Sequence, residues 1–70
     1  MKQVSEMPKQ GEFTATWSEF NKEFSFIYRT DEDTGLVSLY HEGTGEWSEL
    51  EDQETVEQSF KNLNATFFML

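Results

Sequence analysis

The sequence predicts an α+β fold: an antiparallel β-meander of four or five strands with one C-terminal helix packed on one face. Three observations support this prediction. Apolar and polar residues alternate through much of the first half of the chain, which is typical of half-buried strands. Short turns rich in Gly, Asp and Asn separate these runs, as in antiparallel hairpins. After residue 50 the apolar spacing changes to four and three residues, the period of a helix face.

Length and composition indicate one small domain with an aromatic core. The chain has 70 residues, including seven Phe, two Trp and two Tyr, but no cysteine. A chain of this size buries only about 60% of the surface that it exposes when unfolded, so large rings must supply much of the core. Without cysteine there is neither a disulfide nor a thiolate metal ligand. We expect residues 1–10 to form a flexible lead-in and residues 11–70 to form a single α+β domain.

The first predicted hairpin occupies residues 12–30. Apolar side chains occupy alternate positions over residues 12–17, and again over residues 24–30, so each segment is predicted to be a strand. Residues 20–23 form the tight turn between them. Asn21 suits that turn because asparagine tolerates the left-handed conformation.

Glycine-bearing turns bound the third and fourth predicted strands. Residues 31–35 end in Gly35, which accepts a positive φ, and a strand follows over residues 36–41. This third strand is apolar on both faces, so we expect it near the centre of the sheet. A second turn over residues 42–45 leads to a short fourth strand over residues 46–50.

A helix is predicted to follow the fourth strand. The apolar positions of its face are Val56, Phe60, Leu63 and Phe67. Asp52 is a suitable N-cap, and the helix is expected to end at Asn62 or Asn64. The tail, residues 65–70, is compatible with a last helical turn or a fifth strand. We favour the strand because the two asparagines interrupt the helix.

The predicted core combines large apolar residues from the strands and the helix. Its members are Phe13, Trp17, Phe24, Phe26, Leu39, Val56, Phe60, Leu63 and Phe67. We interpret Trp17 and Trp47 as core or sheet-face packing. The alternative is that one of them anchors an interface, and Trp47 is then preferred because Glu46 and Glu49 flank it. Along the fourth strand, Trp47 and Glu49 share one face and Glu46 faces the other.

The net charge of −9 belongs entirely to the second half of the chain. Residues 1–30 contain four acidic and four basic residues, whereas residues 31–70 contain ten acidic residues and Lys61 alone. The ten acidic residues are Asp31, Glu32, Asp33, Glu42, Glu46, Glu49, Glu51, Asp52, Glu54 and Glu57. Because they fall in turns, on the fourth strand and at the start of the helix, we expect them to project into solvent.

This acidic surface has two interpretations: it keeps the protein soluble, or it binds a basic partner. A globule of 70 residues is roughly 29 Å across, and a DNA duplex carries about 17 phosphates over that length, roughly twice the net charge found here. The acidic hairpin and small size resemble phage-encoded DNA mimics, of which the uracil-DNA glycosylase inhibitors are one kind. The resemblance is one of size and composition and transfers no site.

The leading hypothesis is therefore a non-enzymatic acidic binding protein. It would be a phage-type DNA mimic that inhibits a DNA- or RNA-handling host protein by occupying its basic site. The ten acidic residues and Trp47 would be the partner-binding residues, with fast, salt-sensitive association. The alternative is a small accessory subunit that uses an apolar contact through residues 67–70, with acidity serving only solubility.

Other functional classes lack support in the sequence. His41 is the only imidazole and no nucleophile motif accompanies it, so no catalytic site is predicted. Residues 31–42 partly match a calcium loop, but Gly35 stands one position too early, and we expect no metal or cofactor. Five basic residues against 14 acidic ones oppose direct nucleic-acid binding. Neither an export signal nor an apolar run of about 18 residues is present, so we expect a cytoplasmic protein without membrane contact.

Overall fold

A computed structural model, which describes residues 2–70, confirms the α+β class. It consists of a six-stranded antiparallel sheet with one helix packed against one side. The strands are β1 (Lys2–Val4), β2 (Gly11–Glu19), β3 (Lys22–Thr30), β4 (Leu36–His41), β5 (Glu46–Asp52) and β6 (Thr66–Met69), and helix α1 spans Gln53–Leu63. Their order across the sheet is β1-β6-β2-β3-β4-β5. Within the described residues, none of the helical structure is long and apolar enough to span a membrane.

The sheet exceeds the expected four or five strands because both ends of the chain join it. The tail forms β6, as favoured from the sequence, and pairs with β2 on one side and β1 on the other. Phe67 therefore lies on a strand and not on the helix face where its spacing had placed it. It still reaches the core, because its register partner Ala15 lies on the side of the sheet that α1 covers.

The amino-terminal segment, residues 1–10, was expected to be a flexible lead-in, and its described part contains strand β1 and the buried Met7. In the described part of this segment, β1 pairs with β6, and Met7 is only 2% exposed. The Thr30 hydroxyl donates a hydrogen bond of 3.0 Å to the Pro8 carbonyl oxygen. A three-residue strand is too short to show an alternating pattern, so nothing in the local sequence marks β1.

Strands β2 and β3 form a long hairpin that extends beyond its neighbours. They pair from Gly11↔Thr30 to Glu19↔Lys22, whereas β6 follows β2 only as far as Thr16, and β4 follows β3 only back to Tyr28. Residues 17–24 are thus a two-stranded ribbon, which we call the arm. It closes in a two-residue turn, residues 20–21, with positive φ at both positions, as the tightest hairpin turns require.

Strand β4 lies beside the edge strand β5 and is not central as expected. The apolar residues on its two faces make different contacts. Val37 is fully buried, and Leu39 packs against the core opposite Tyr28, on the side that α1 covers. Tyr40 lies on the other side, which we call the open side, and packs against Trp47.

Both ends of helix α1 are capped. Asp52 is the predicted N-cap, and its carboxylate accepts hydrogen bonds from the Thr55 backbone N–H and hydroxyl. Asn64 adopts the left-handed conformation, with a φ of 57°, and its N–H donates to the carbonyl oxygens of Phe60 and Lys61. The chain then turns directly into β6.

Phe60 is the central contact between helix and sheet. Its ring centroid lies 5.1 Å from that of Tyr28, 5.5 Å from that of Phe67 and 5.9 Å from that of Trp17. The buried hydrophobic residues are Met7, Phe13, Ala15, Tyr28, Val37, Val56, Phe60 and Phe67. Of the nine core residues predicted, Phe26 is wrong, since it is 43% exposed. It lies on β3 before Tyr28, where β4 no longer pairs with that strand.

Burial of Tyr28 predicts a loss of stability in alkali. Desolvation raises the pKa of Tyr28 to about 12, because the folded protein favours the neutral phenol. This contribution to stability is complete below the ordinary pKa of 10.0 and is lost as pH rises from 10 towards 12. Urea titrations at pH values between 10 and 12 should therefore show a free energy of unfolding that falls with pH. In Tyr28→Phe this fall should be smaller. Identical slopes for both proteins would contradict the assignment.

Candidate functional site

Strand β5 forms one border of the sheet and concentrates acidic residues along it. We call the acidic edge the five exposed carboxylates of the β4–β5 turn and of β5: Glu42, Glu46, Glu49, Glu51 and Asp52. Because β5 stands last in the strand order, its outer backbone groups face solvent. Charges on such a strand also oppose pairing with the edge of another sheet.

The acidic edge is a ridge and not a flat face. Glu46 is opposite His41 in the register, and Glu49 is opposite Ser38, so their side chains point to different sides of the sheet. The alternation predicted for this strand is therefore present. A register shift between Leu36 and Ser38 then places two β5 residues against one residue of β4, an irregularity that bends a strand locally.

A second set of acidic residues lies at the end of the ridge where β5 leads into α1. Residues 31–33 lie in the β3–β4 turn, where the Asp31 carboxylate accepts hydrogen bonds from the backbone N–H groups of Asp33 and Thr34. The same turn is tied to the start of α1, because the Gln53 N–H donates to the Gly35 carbonyl oxygen at 2.8 Å. The turn thus lies beside Asp52 and the first helical residues, Glu54 among them.

Asp52 keeps its negative charge to lower pH than an ordinary aspartate. The Thr55 hydroxyl and then the Thr55 backbone N–H stabilise the ionised form and lower the pKa of Asp52. The helix N-terminus also favours negative charge at this position. The residue that caps α1 therefore also contributes a persistent charge to the acidic edge.

Glu57 does not join the other predicted acidic residues. It is half-buried and lines a pocket of about 230 Å³ beside Met7, Phe60 and Lys61, where α1 faces the amino-terminal segment. In the strand order, β6 is separated from β5 by three other strands. Nine of the ten predicted acidic residues thus lie along β5 or at its two ends, and Glu57 lies elsewhere.

An aromatic groove accompanies the acidic edge on the open side of the sheet. The ring centroids of Trp47 and Tyr40 are 5.1 Å apart, and the Arg29 guanidinium carbon lies 4.2 Å from the Trp47 ring centroid. The groove measures about 300 Å³ and is lined by these two rings together with Glu12 and Ile27. Trp47 is half-buried, which makes it both packed and accessible.

Sequence reasoning did not find Glu12, Ile27 and Tyr40 in this groove, nor Arg29 beside Trp47. Ile27, Arg29 and Tyr40 occupy the strand faces opposite the predicted core, which is the signal that could have identified them. Their meeting with Trp47 depends on the register of β3, β4 and β5. That register follows from turn conformations and long-range pairing, which spacing alone does not specify.

The remaining polar groups suggest structural roles. The His41 Nε2 lies 2.7 Å from the Ser48 hydroxyl oxygen, and both residues are exposed, so this hydrogen bond ties β4 to β5. Among residues 2–70, no group of three or more His, Cys, Asp or Glu side chains is arranged to hold a metal ion.

Comparisons with protein-family models, with curated proteins and with solved structures find no match to this chain. The distinguishing feature of the surface is a carboxylate ridge beside a partly exposed Trp–Tyr–Arg cluster.

Proposed function

We propose that this protein is a non-enzymatic acidic binding protein that occupies the basic site of a nucleic-acid-handling protein and thereby excludes nucleic acid, in the manner of a phage-type DNA mimic. The observation that supports this proposal is the continuity of the acidic edge with the Trp47 groove. A charged border attracts a basic surface, and the adjoining rings can anchor it.

The charge spacing along β5 is close to that of a nucleic-acid strand. From Glu46 to Asp52 the strand covers about 20 Å, at roughly 3.3 Å per residue. Four carboxylates lie in this length. One DNA strand carries about six phosphates over the same distance. The ridge therefore has about two thirds of the linear charge density of one strand, and residues 31–33 extend it at one end.

Trp47 supplies binding affinity that the exposed carboxylates do not supply by themselves. Exposed carboxylates accelerate association and are screened by salt, but each contributes little affinity. Binding energy concentrates in a few aromatic and arginine residues, and Trp47, Tyr40 and Arg29 are already packed together. Their mutual contacts reduce the entropy that would be lost on binding.

The accessory-subunit alternative relied on an apolar contact through residues 67–70. Phe67 is buried, and β6 is paired on both sides, so the apolar side chain that extends furthest into solvent in this segment is Leu70, at 55% exposure. Deleting the segment would remove a strand from the sheet and would not test binding alone. Leu70→Ser is the sharper test of that alternative.

The proposal is tested by retention of host proteins on the immobilised chain. We expect a DNA- or RNA-binding protein to be retained at low salt and released as ionic strength rises to about 0.5 M, because the attraction is screened. A 20-base-pair DNA duplex should displace it by competition for the same basic site. Retention that resists both salt and duplex but is lost in Leu70→Ser would contradict the proposal and favour the accessory subunit.

A further inference from the structure

The acidic edge carries its charge along one strand, at a density that distinguishes between two kinds of nucleic acid. Four of its carboxylates lie between Glu46 and Asp52, over about 20 Å. A duplex carries about 12 phosphates over that length, and one of its strands carries about six. The edge therefore has about two thirds of the charge of one strand but only about one third of the charge of a duplex. This comparison favours a single strand as the nucleic acid that the edge imitates.

The aromatic groove has the acidic edge at one end and a neutral pair of residues at the other. The groove crosses the sheet from Trp47 on β5 to Glu12 on β2. A duplex flanks its bases with phosphates on both sides, so an imitation of a duplex needs a second row of negative charge at the far end. Glu12 lies there opposite Arg29 in the β2–β3 register, and the two charges sum to zero. The rings thus have a row of carboxylates on one side, as the bases of a single strand have phosphates on one side.

The Trp–Tyr–Arg cluster presents planar groups beside this row of charge. The Arg29 guanidinium carbon lies 4.2 Å from the Trp47 ring centroid, and the Tyr40 ring centroid lies 5.1 Å from it, with 51° between the ring planes. Trp47 and Tyr40 are half-buried and Arg29 is exposed, so the cluster is packed in place and still reaches solvent. A duplex presents only the edges of its bases, whereas a single strand offers their faces for stacking. The cluster therefore has its counterpart in a single strand.

Proteins that bind single strands have sites that complement both features. These sites combine a positively charged groove, which follows the backbone, with aromatic side chains on which the bases stack. The carboxylates of the acidic edge suit the lysine and arginine residues of such a groove. The rings of Trp47 and Tyr40 suit its aromatic side chains, and Arg29 can stack on them as well.

We propose that the partner is a protein that binds single-stranded nucleic acid, with the acidic edge in its backbone groove and the Trp–Tyr–Arg cluster against its aromatic side chains. This inference rests on the proposed function and narrows the class of site that is blocked. Any basic nucleic-acid site satisfies the proposed function. The narrower inference requires a site that holds unstacked bases.

Competition between oligonucleotides tests the inference on the unmodified chain. The host protein that the immobilised chain retains at low salt is challenged with a 20-nucleotide single strand, as DNA and as RNA, and with the DNA duplex of the same sequence. At equal phosphate concentration, we expect one of the single strands to displace the host protein at a concentration about 10-fold lower than the duplex. A duplex that competes as well as either single strand would overturn the inference and leave the proposed function in place. Displacement by none of the three would contradict the proposed function itself.

Two variants of Trp47 test the stacking contact. Trp47→Leu keeps an apolar side chain but removes the planar face, so affinity for the retained protein should fall about 10-fold. The salt dependence of binding should stay that of the parent, because no charge changes. Trp47→Phe keeps a planar ring and should recover most of the affinity. Equal affinities for the two variants would overturn the stacking contact and with it the inference.

The matched control removes an exposed ring that lies outside the site. Phe20, at the tip of the arm, is 85% exposed, and Phe20→Ala should bind as the parent does. A loss equal to that of Trp47→Leu would overturn the assignment of the contact to the Trp–Tyr–Arg cluster. Melting curves establish that each variant is folded, and the oligonucleotide competition depends on none of them.

Discussion

Replacing Phe60 with alanine will remove most of the stability of this protein. Phe60 is 4% exposed and contacts the rings of Trp17, Tyr28 and Phe67. Removing a buried phenyl ring costs about 3–5 kcal/mol, which combines lost transfer energy with the cost of the cavity. A single core of this size rarely supplies more than about 3–5 kcal/mol in total. We therefore expect Phe60→Ala to be largely unfolded at 25 °C, as measured by near-ultraviolet circular dichroism and urea titration.

Phe20→Ala is the matched control, because it removes the same ring from an exposed position. Its free energy of unfolding should stay within about 0.5 kcal/mol of the parent value, as for other surface substitutions. Equal losses for the two variants would show that Phe60 is not the centre of the core.

Neutralising the acidic edge will weaken binding to the basic partner about 10-fold. The variant is Glu46→Gln, Glu49→Gln and Glu51→Gln together, which changes the net charge from −9 to −6. Glutamine keeps the size and polarity of each side chain, so the change acts on charge alone. Each exposed contact contributes up to about 0.5–1 kcal/mol, and the effect should fall mainly on the association rate. Kinetic titration at two salt concentrations should show both the lower rate and a flatter salt dependence.

The control for this prediction has the same net charge with the substitutions elsewhere. Glu6→Gln, Glu19→Gln and Glu23→Gln together also change the charge from −9 to −6, but all three lie outside β5 and its turns. The proposed function requires this variant to bind almost normally. If both triple variants lose affinity equally, net charge matters and the acidic edge does not.

Structural features that depend on residues close together in the sequence were predicted best. Strand β4 has the predicted bounds, Gly35 adopts the positive φ that its turn suggested, and Asp52 caps α1. These features arise from the backbone freedom of glycine and from a hydrogen bond spanning three residues. Both are properties of the local sequence.

Elements that depend on distant partners escaped prediction. The strand β1 has no pattern of its own and exists because β6 offers it an unpaired edge. Phe26 belongs to a well-formed alternating strand, yet it is 43% exposed because the pairing of β4 with β3 stops at Tyr28 and leaves Phe26 without a neighbour on that side. Val37, by contrast, is fully buried although the predicted core omitted it.

Some features of the candidate site follow from the sequence alone, and others depend on the tertiary structure. The sequence alone shows that the whole charge excess lies in residues 31–70, and that Trp47 stands among carboxylates, because composition does not depend on folding. Only the tertiary structure decides that β5 is an edge, that Arg29 and Tyr40 reach Trp47, and that Glu57 lies apart. Strand order and register bring these side chains together or keep them apart. Both arise from pairing between residues far apart in the chain, and a local sequence pattern does not specify that pairing.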